Sequence, residues 1–451
     1  MVMKFTRQHF KDIQVTLKAS LDIISRYQWL IDLYVLDFFV DNHWARISSN
    51  WRAFIDKADT QDLAFMLDLE GQLEWPSNKV WPLEILCLKS AIKTYSLDRK
   101  PVEQHELRVL LGLQSCKSKW PSGFKEAFDD LHHVFRRHIK PKKEHEIVRM
   151  AQVALMQKEL TQSTTRIDIG AGQGHLSRLL AFAHHFNVFC MDAEKDFSQA
   201  ALQFDCDLIK ANKASEEAQK PKHVTLRIDP DLPSSAFDQK LTADNVGLVG
   251  LHTCGDLGPS IIKLFSSSVK ASNLQSVGCC YMYIKQTFPL SSAVDKTFNY
   301  TTLELACHAI ETYKDRLKAK EEVEKLKIHN KRAILEYLIN EKCPEHRHTA
   351  LKSVKRPQEL TFCEYALKAT AALGLFTADE LTSDERICEM EKQWWRVVAF
   401  YTLRLLFGPL LETVLLLDRG LYLLEQDLES LLAPIFDPRL SPRNFVLLSH
   451  K

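Results

Sequence analysis

Apolar residues recur at helical spacing through the first part of the chain: Leu21, Ile24, Tyr27, Leu30, Ile31, Tyr34 and Phe38. The spacing predicts a mainly helical segment to about residue 130. From residue 166 the period changes. Arg166–Gly170 reads as a short buried strand ending in a glycine turn, and His175–Ala183 as the helix after it. Asn187–Met191 reads as a second strand closed by Asp192, and Val224–Ile228 as a third closed by Asp229. Val246–Leu251 is a fourth, running into His252-Thr253-Cys254-Gly255-Asp256-Leu257, and Gln275–Cys280 is a fifth. Strands alternating with helices predict an α/β fold with a parallel, doubly wound sheet. Between 297 and 395 the pattern is helical and charged, with Lys314–Lys331 predicted as an exposed helix. A long apolar helix around Leu410–Leu424 follows, then two short strands near Leu432–Phe436 and Phe445–Ser449.

Four segments result: a helical region 1–130, a first core part 131–296, a helical insertion 297–395, and a last core part 396–451. The length, 451 residues, suits about two or three domains. Six of the eight tryptophans lie before residue 130, at Trp29, Trp44, Trp51, Trp75, Trp81 and Trp120. Three precede prolines, which suggests rigid turns between helices of a packed domain. Lys plus Arg is 59 against 58 for Asp plus Glu, so a strongly basic, histone-like binder is excluded. A local basic patch is not: Arg136, Arg137, Lys140, Lys142 and Lys143 fall together with no acid among them. Eleven scattered cysteines without a secretory leader point to free thiols in a reducing compartment, cytoplasm or nucleus. Val397–Leu424 is apolar, but Arg404, Glu412 and Asp418 interrupt it, so a buried helix is expected and no membrane span.

The most informative decapeptide is Ile167-Asp168-Ile169-Gly170-Ala171-Gly172-Gln173-Gly174-His175-Leu176. It follows a predicted strand and opens a helix, as a nucleotide-cofactor turn requires. Glycines allow a sharp turn and a close approach to a ligand. Asp192, at the end of the next strand, is placed to accept ribose hydroxyl protons. The spacing Gly-x-Gly-x-Gly after an acid resembles the first motif of class I methyltransferases, which bind S-adenosylmethionine. That resemblance implies Asp168, Gly170, Gly172, Gly174 and Asp192 as cofactor-binding residues. Asp229 is a candidate for the adenine amine, and Lys143 for the cofactor's carboxylate as a point charge.

In open α/β sheets ligands bind beyond the carboxyl ends of the strands. There His252, Cys254, Asp256, Cys279, Cys280 and Tyr281 are expected to crowd one mouth. Methyl transfer needs an aligned nucleophile and an acceptor for its proton. His252 and Asp256 are the candidates for base or orienter, and Tyr281 for positioning or stacking the acceptor. The soft side chains, with Cys307 and His308, also suggest zinc or an iron–sulfur cluster. Adjacent cysteines are an awkward ligand pair and no Cys-x-x-Cys repeat supports them, so no metal is expected. Amino-directed nucleic-acid methyltransferases usually carry Asn/Asp-Pro-Pro-Tyr/Phe after the fourth strand. The sequence here, His-Thr-Cys-Gly-Asp, argues against an adenine amine as target.

Lys140–Glu146, Ile167–Leu176, His252–Leu257, Ser276–Met282, Ala306–Ala309, Leu411–Arg419 and Leu440–Val446 together resemble the methyltransferase-like protein 25 family. The resemblance implies an S-adenosylmethionine-dependent methyltransferase domain with helical additions. The His-x-Cys-Gly and Cys-Cys pair is also similar to that of tRNA ribose methyltransferases acting on the acceptor stem, although Tyr281 and Met282 replace the histidines of their longer run. RNA is therefore the first expectation for the acceptor and protein the second. A cofactor-binding scaffold without turnover is the reading from another class.

Overall fold

The computed structural model describes residues 2–76, 79–115, 119–127, 135–136, 139–212 and 220–451. Arg137 lies outside them. The chain divides into two compact units, one of residues 1–18, 97–307 and 412–451, the other of residues 19–96 and 308–411. Residues 1–130, read from sequence as one helical domain, contribute to both.

The first unit is built on an eight-stranded sheet. Its strands are β1 (Met3–Phe5), β2 (Thr165–Ile169), β3 (Asn187–Asp192), β4 (Lys222–Thr225), β5 (Val246–Cys254), β6 (Ala271–Cys279), β7 (Ser430–Pro434) and β8 (Phe445–His450), in the spatial order β1-β7-β8-β6-β5-β2-β3-β4. β4, β3, β2, β5 and β6 run parallel, while β8 is antiparallel to both β6 and β7. This is the order of a class I methyltransferase sheet of Rossmann-like type. The chain leaves β2 toward β3 and β4 on one side and returns to β5 and β6 on the other. The carboxyl ends of β2 and β5 thus bound a topological switch point, where such sheets bind ligands.

β2 is wholly buried along its five residues, including the charged Arg166 and Asp168, which are hydrogen-bonded to Ala154 O and to Ser177 Oγ. The helix Pro141–Thr161 begins at a proline in its first turn. It buries Ile147, Val148, Met150, Ala151, Val153, Ala154 and Met156 in one core with Val188, Val249, Val277, Val446 and Leu448 of the strands. Each large aliphatic side chain in such a core contributes about 1.5–3 kcal/mol.

Several elements differ from the sequence reading. Met3–Phe5 is a strand rather than part of a helix; it pairs antiparallel with β7, Met3 opposite Leu432. The third predicted strand ends at Thr225, so Asp229 lies beyond it. His175–Arg178 is α-helical but continues as a π-helix over Leu179–Ala183.

In the second unit the charged stretch 314–331 is broken into the helices Ile310–Lys318, Lys320–Leu326 and the start of Ile328–Lys342. Lys314 is not on a solvated face: it is buried, with Nζ 2.8 Å from Asp68 Oδ1. The periodicity could not show this, because Asp68 is distant in the chain.

The apolar stretch Trp394–Glu425 is long and apolar enough to cross a membrane, yet its apolar window is wholly buried by protein. The three charged residues that interrupt it, Arg404, Glu412 and Asp418, have partners within their own units. Arg404 Nη2 donates to Ile31 O at 3.0 Å. Asp418 accepts from the Leu290 and Ser291 amides, each at 2.9 Å. Glu412 sits 2.9 Å from Arg443.

Candidate active site

The glycine turn follows β2 directly. Gly170, Gly172 and Gly174 have φ of 72°, 54° and 71°, left-handed backbone that side chains other than glycine adopt at a cost. The turn is fastened to β3 by the Gly170 and Ala171 amides, which donate to Met191 O at 2.8 and 3.3 Å. Asp192, at the end of β3, accepts from the Gly172 amide through Oδ2 at 2.8 Å and from the Glu194 amide through Oδ1 at 3.0 Å. A Cβ added at Gly172 would meet nothing within 4 Å, whereas at Gly170 it would stand 3.1 Å from Leu257 Cδ2. The opening of the turn is therefore at Gly172.

Asp168 is placed differently from a ligand-touching acid. It is 2% exposed, and its Oδ2 accepts from Ser177 Oγ at 2.5 Å. It binds the turn to the following helix and has no face toward a ligand. Burial pushes its pKa up to about 6, against the Ser177 hydrogen bond and the nearby charge of Lys143. Lys143 lies in the first turn of the helix Pro141–Thr161, and its charge acts on Asp168. Asp229 is exposed and paired with Arg227 Nε at 2.8 Å.

The ends of β5 and β6 are neighbours, with Cys254 opposite Cys279. Of the three catalytic candidates, the structure commits two to the fold. Asp256 accepts from the Lys285, Gln286 and Thr287 amides, each at 3.1 Å, and from Thr287 Oγ1 at 2.6 Å. Burial alone would raise its pKa, but the Thr287 hydroxyl and these amides hold it below the usual carboxylate value. A carboxylate so occupied clamps the loop after β6 and is a poor base. Tyr281 is 1% exposed; its hydroxyl donates to Glu412 Oε1 at 3.1 Å, and Arg419 and Arg443 lie over its ring at 5.2 and 5.4 Å. It has no free face for an acceptor.

His252 does face the mouth, at a bulge in β5 where the register slips between Leu251 and Thr253. Its φ is 64°. Its Nε2 lies 2.8 Å from Oε2 of Glu146, a fully buried carboxylate whose Oε1 accepts from Ser441 Oγ at 2.6 Å. Burial lowers the imidazole pKa, but the neighbouring Cys279 thiol and the bonded Glu146 carboxylate outweigh it, leaving the pKa above the ordinary value. Glu146 shifts the other way: burial raises it and the His252 bond brings it below normal.

Sequence reasoning missed Glu146 and Ser441 as site residues, although both lie in segments that carried the family resemblance. It also missed the buried network in which Glu412 holds Arg99 at 2.5 Å and Arg443 at 2.9 Å. Cys307 stands apart from the other thiols, with its Sγ accepting from the Tyr281 amide at 3.2 Å. His308 belongs to the second unit, beside Tyr401.

A sheet in this order, with a left-handed glycine turn after its first core strand and an acid ending the next, defines a methyltransferase domain of Rossmann-like fold. Residues 142–287 match the family model described as a methyltransferase domain. The chain is similar to probable methyltransferase-like protein 25 of Mus musculus, 29% identical over 45% of this chain and 37% of the relative. It is similarly related to probable methyltransferase-like protein 25 of Homo sapiens, 28% identical over 45% of this chain and 36% of the relative. The matched region thus spans little more than a third of the length of these curated relatives.

Proposed function

We propose that the protein is a methyltransferase that takes its methyl group from S-adenosylmethionine and delivers it to RNA. The observation that carries this reading is the open backbone at Gly172, with the half-buried Asp192 carboxylate bonded to its amide. The residues present fit the donor. Each Asp192 oxygen accepts one backbone N–H and keeps a lone pair for a ribose hydroxyl. Gly170, Gly172 and Gly174 admit the nucleoside to the backbone, Lys143 faces the donor's carboxylate, and Asp229 is left to the adenine amine. Asp168 supports the turn from beneath. When bound, the donor supplies an electrophilic methyl group for in-line transfer. With Asp256 and Tyr281 committed to the fold, alignment of the acceptor rather than proton removal carries most of the rate.

RNA is favoured by the basic run that leads into the donor site. Lys140 and Lys142 are exposed where the helix that carries Lys143 begins. Arg136 is also exposed, 3.1 Å from Glu144. The commitment of Asp256 and Tyr281 favours a second reading, a donor-binding scaffold without turnover. Calorimetry with S-adenosylmethionine and its demethylated product, on the wild type and Gly172→Arg, tests the site. Binding that survives Gly172→Arg would remove it. Transfer to RNA that falls steeply with salt supports the acceptor assignment. Salt-insensitive transfer would point to protein, and binding without transfer to the scaffold.

A further inference from the structure

The mouth of β5 and β6 carries a side-chain cluster that donor binding leaves unused. The Sγ atoms of Cys254, Cys279 and Cys280 all lie within 4.8 Å of one another, and those of Cys279 and Cys280 are 3.6 Å apart. Adjacent residues of an extended strand point to opposite faces, which is why the sequence argued against this pair. Cys280 escapes that rule because it leaves the strand with φ of 44°. The left-handed step returns its thiol to the side of Cys279. Non-glycine residues take this conformation at about 1–2 kcal/mol. His252, at the bulge of the neighbouring strand, is also left-handed. Bulges re-aim side chains, and two such residues flank one group of thiols.

The His252 ring lies beside this group on the side of Cys279, though outside the set of atoms that are all within 4.8 Å of one another. Its Nε2 is held by Glu146, while its Nδ1 is buried and without a hydrogen-bond partner. The ring interacts electrostatically with the Cys279 thiol.

We propose that the thiolates of Cys254, Cys279 and Cys280 and the Nδ1 of His252 bind one thiophilic divalent cation of the zinc class. Thiolates at about 2.3 Å from a tetrahedral zinc are ~3.8 Å from each other, close to the separation of Cys279 and Cys280. Three soft sulfurs and an imidazole select zinc over magnesium or calcium. Glu146 behind Nε2 is the carboxylate partner that orients a ligating histidine and leaves the other nitrogen's lone pair for the metal. Ser441 in turn fixes Glu146. With four protein ligands the site is closed, hence structural rather than catalytic. It ties the ends of β5 and β6, and through Glu146 the helix bearing Lys143, into one rigid wall of the acceptor mouth. It also takes His252 out of service as a base.

The test is metal content and spectroscopy of the full chain purified under reducing conditions. Elemental analysis is expected to give one zinc per chain. Cobalt(II) added to the chelator-treated protein is expected to give the intense thiolate charge-transfer band and tetrahedral ligand-field bands, both lost on adding zinc. Cys279→Ser and Cys254→Ser should abolish stoichiometric binding, while His252→Gln keeps the thiolate band but weakens affinity by about tenfold or more. Cys307→Ser should change nothing. Because Cys254 is exposed, its variant reports on the metal without burying a new hydroxyl. Metal-free protein with no cobalt band overturns the proposal. So does stoichiometric zinc in both single-thiol variants, or an intact mass showing the thiols joined as a disulfide under the same conditions. Donor binding, read separately by calorimetry, can survive each of these results, so the two readings fail independently.

Discussion

Replacing Gly172 with alanine separates what the backbone costs from what the ligand needs. The residue has φ of 54°, and a Cβ there would meet no atom within 4 Å. The substitution therefore introduces no clash in the protein itself. Its cost is the left-handed backbone, about 1–2 kcal/mol, partly offset by about 0.4–1 kcal/mol from the stiffer unfolded chain. The net, about 1 kcal/mol, corresponds to a fall in Tm of roughly 2–4 °C for a unit of this size. Gly112 provides the control. Its φ is 79°, a Cβ there also meets nothing within 4 Å, and it lies outside the turn. Gly112→Ala should lower Tm by the same amount. The two diverge in donor binding. At Gly172 the new methyl stands where the proposed donor's nucleoside would approach, and overpacking of that kind costs about 1–3 kcal/mol. That is about 5–150-fold in Kd. Isothermal titration with S-adenosylmethionine should show the loss in Gly172→Ala and wild-type affinity in Gly112→Ala. Equal affinity in both variants would mean that the ligand does not reach the turn.

Three further outcomes follow from the geometry. Glu412→Gln leaves Arg99 and Arg443 buried without their carboxylate. Urea unfolding should show a loss of about 3–5 kcal/mol, and a change within experimental error would contradict the network. Asp168, with its pKa raised from 3.8 to about 6, contributes stability that is present below about pH 4 and lost as pH rises through 6. Compared with Asp168→Asn, the wild type should therefore gain about 2.4 kcal/mol between pH 7 and pH 4, and a difference independent of pH would show that the carboxyl is not desolvated. Charge reversal at Lys140, Lys142 and Arg136 should weaken RNA binding and flatten its salt dependence by about 0.7–0.9 in log–log slope per lost phosphate contact. Unchanged filter-binding isotherms would remove the patch.

The amino-acid sequence by itself determined the glycine turn. Strand, glycines, helix and the acid of the next strand lie within a short contiguous stretch, and left-handed backbone is a local demand that only glycine meets freely. It determined the alternation of strands and helices for the same reason, since each element's periodicity is local. The antiparallel edge strand at Met3–Phe5 escaped because a three-residue strand has no period to read, and its partner β7 lies at the other end of the chain. The tertiary structure alone decided what the polar side chains do. Asp256 and Tyr281 looked free at strand ends, but loop amides and Glu412 claim them. His252 and Glu146, separated by 106 residues, meet across the mouth. Cys279 and Cys280 point together only because one residue turns left-handed. Most buried polar groups find a partner, and that partner is set by which strands and helices become neighbours, a relation that no local pattern of residues encodes.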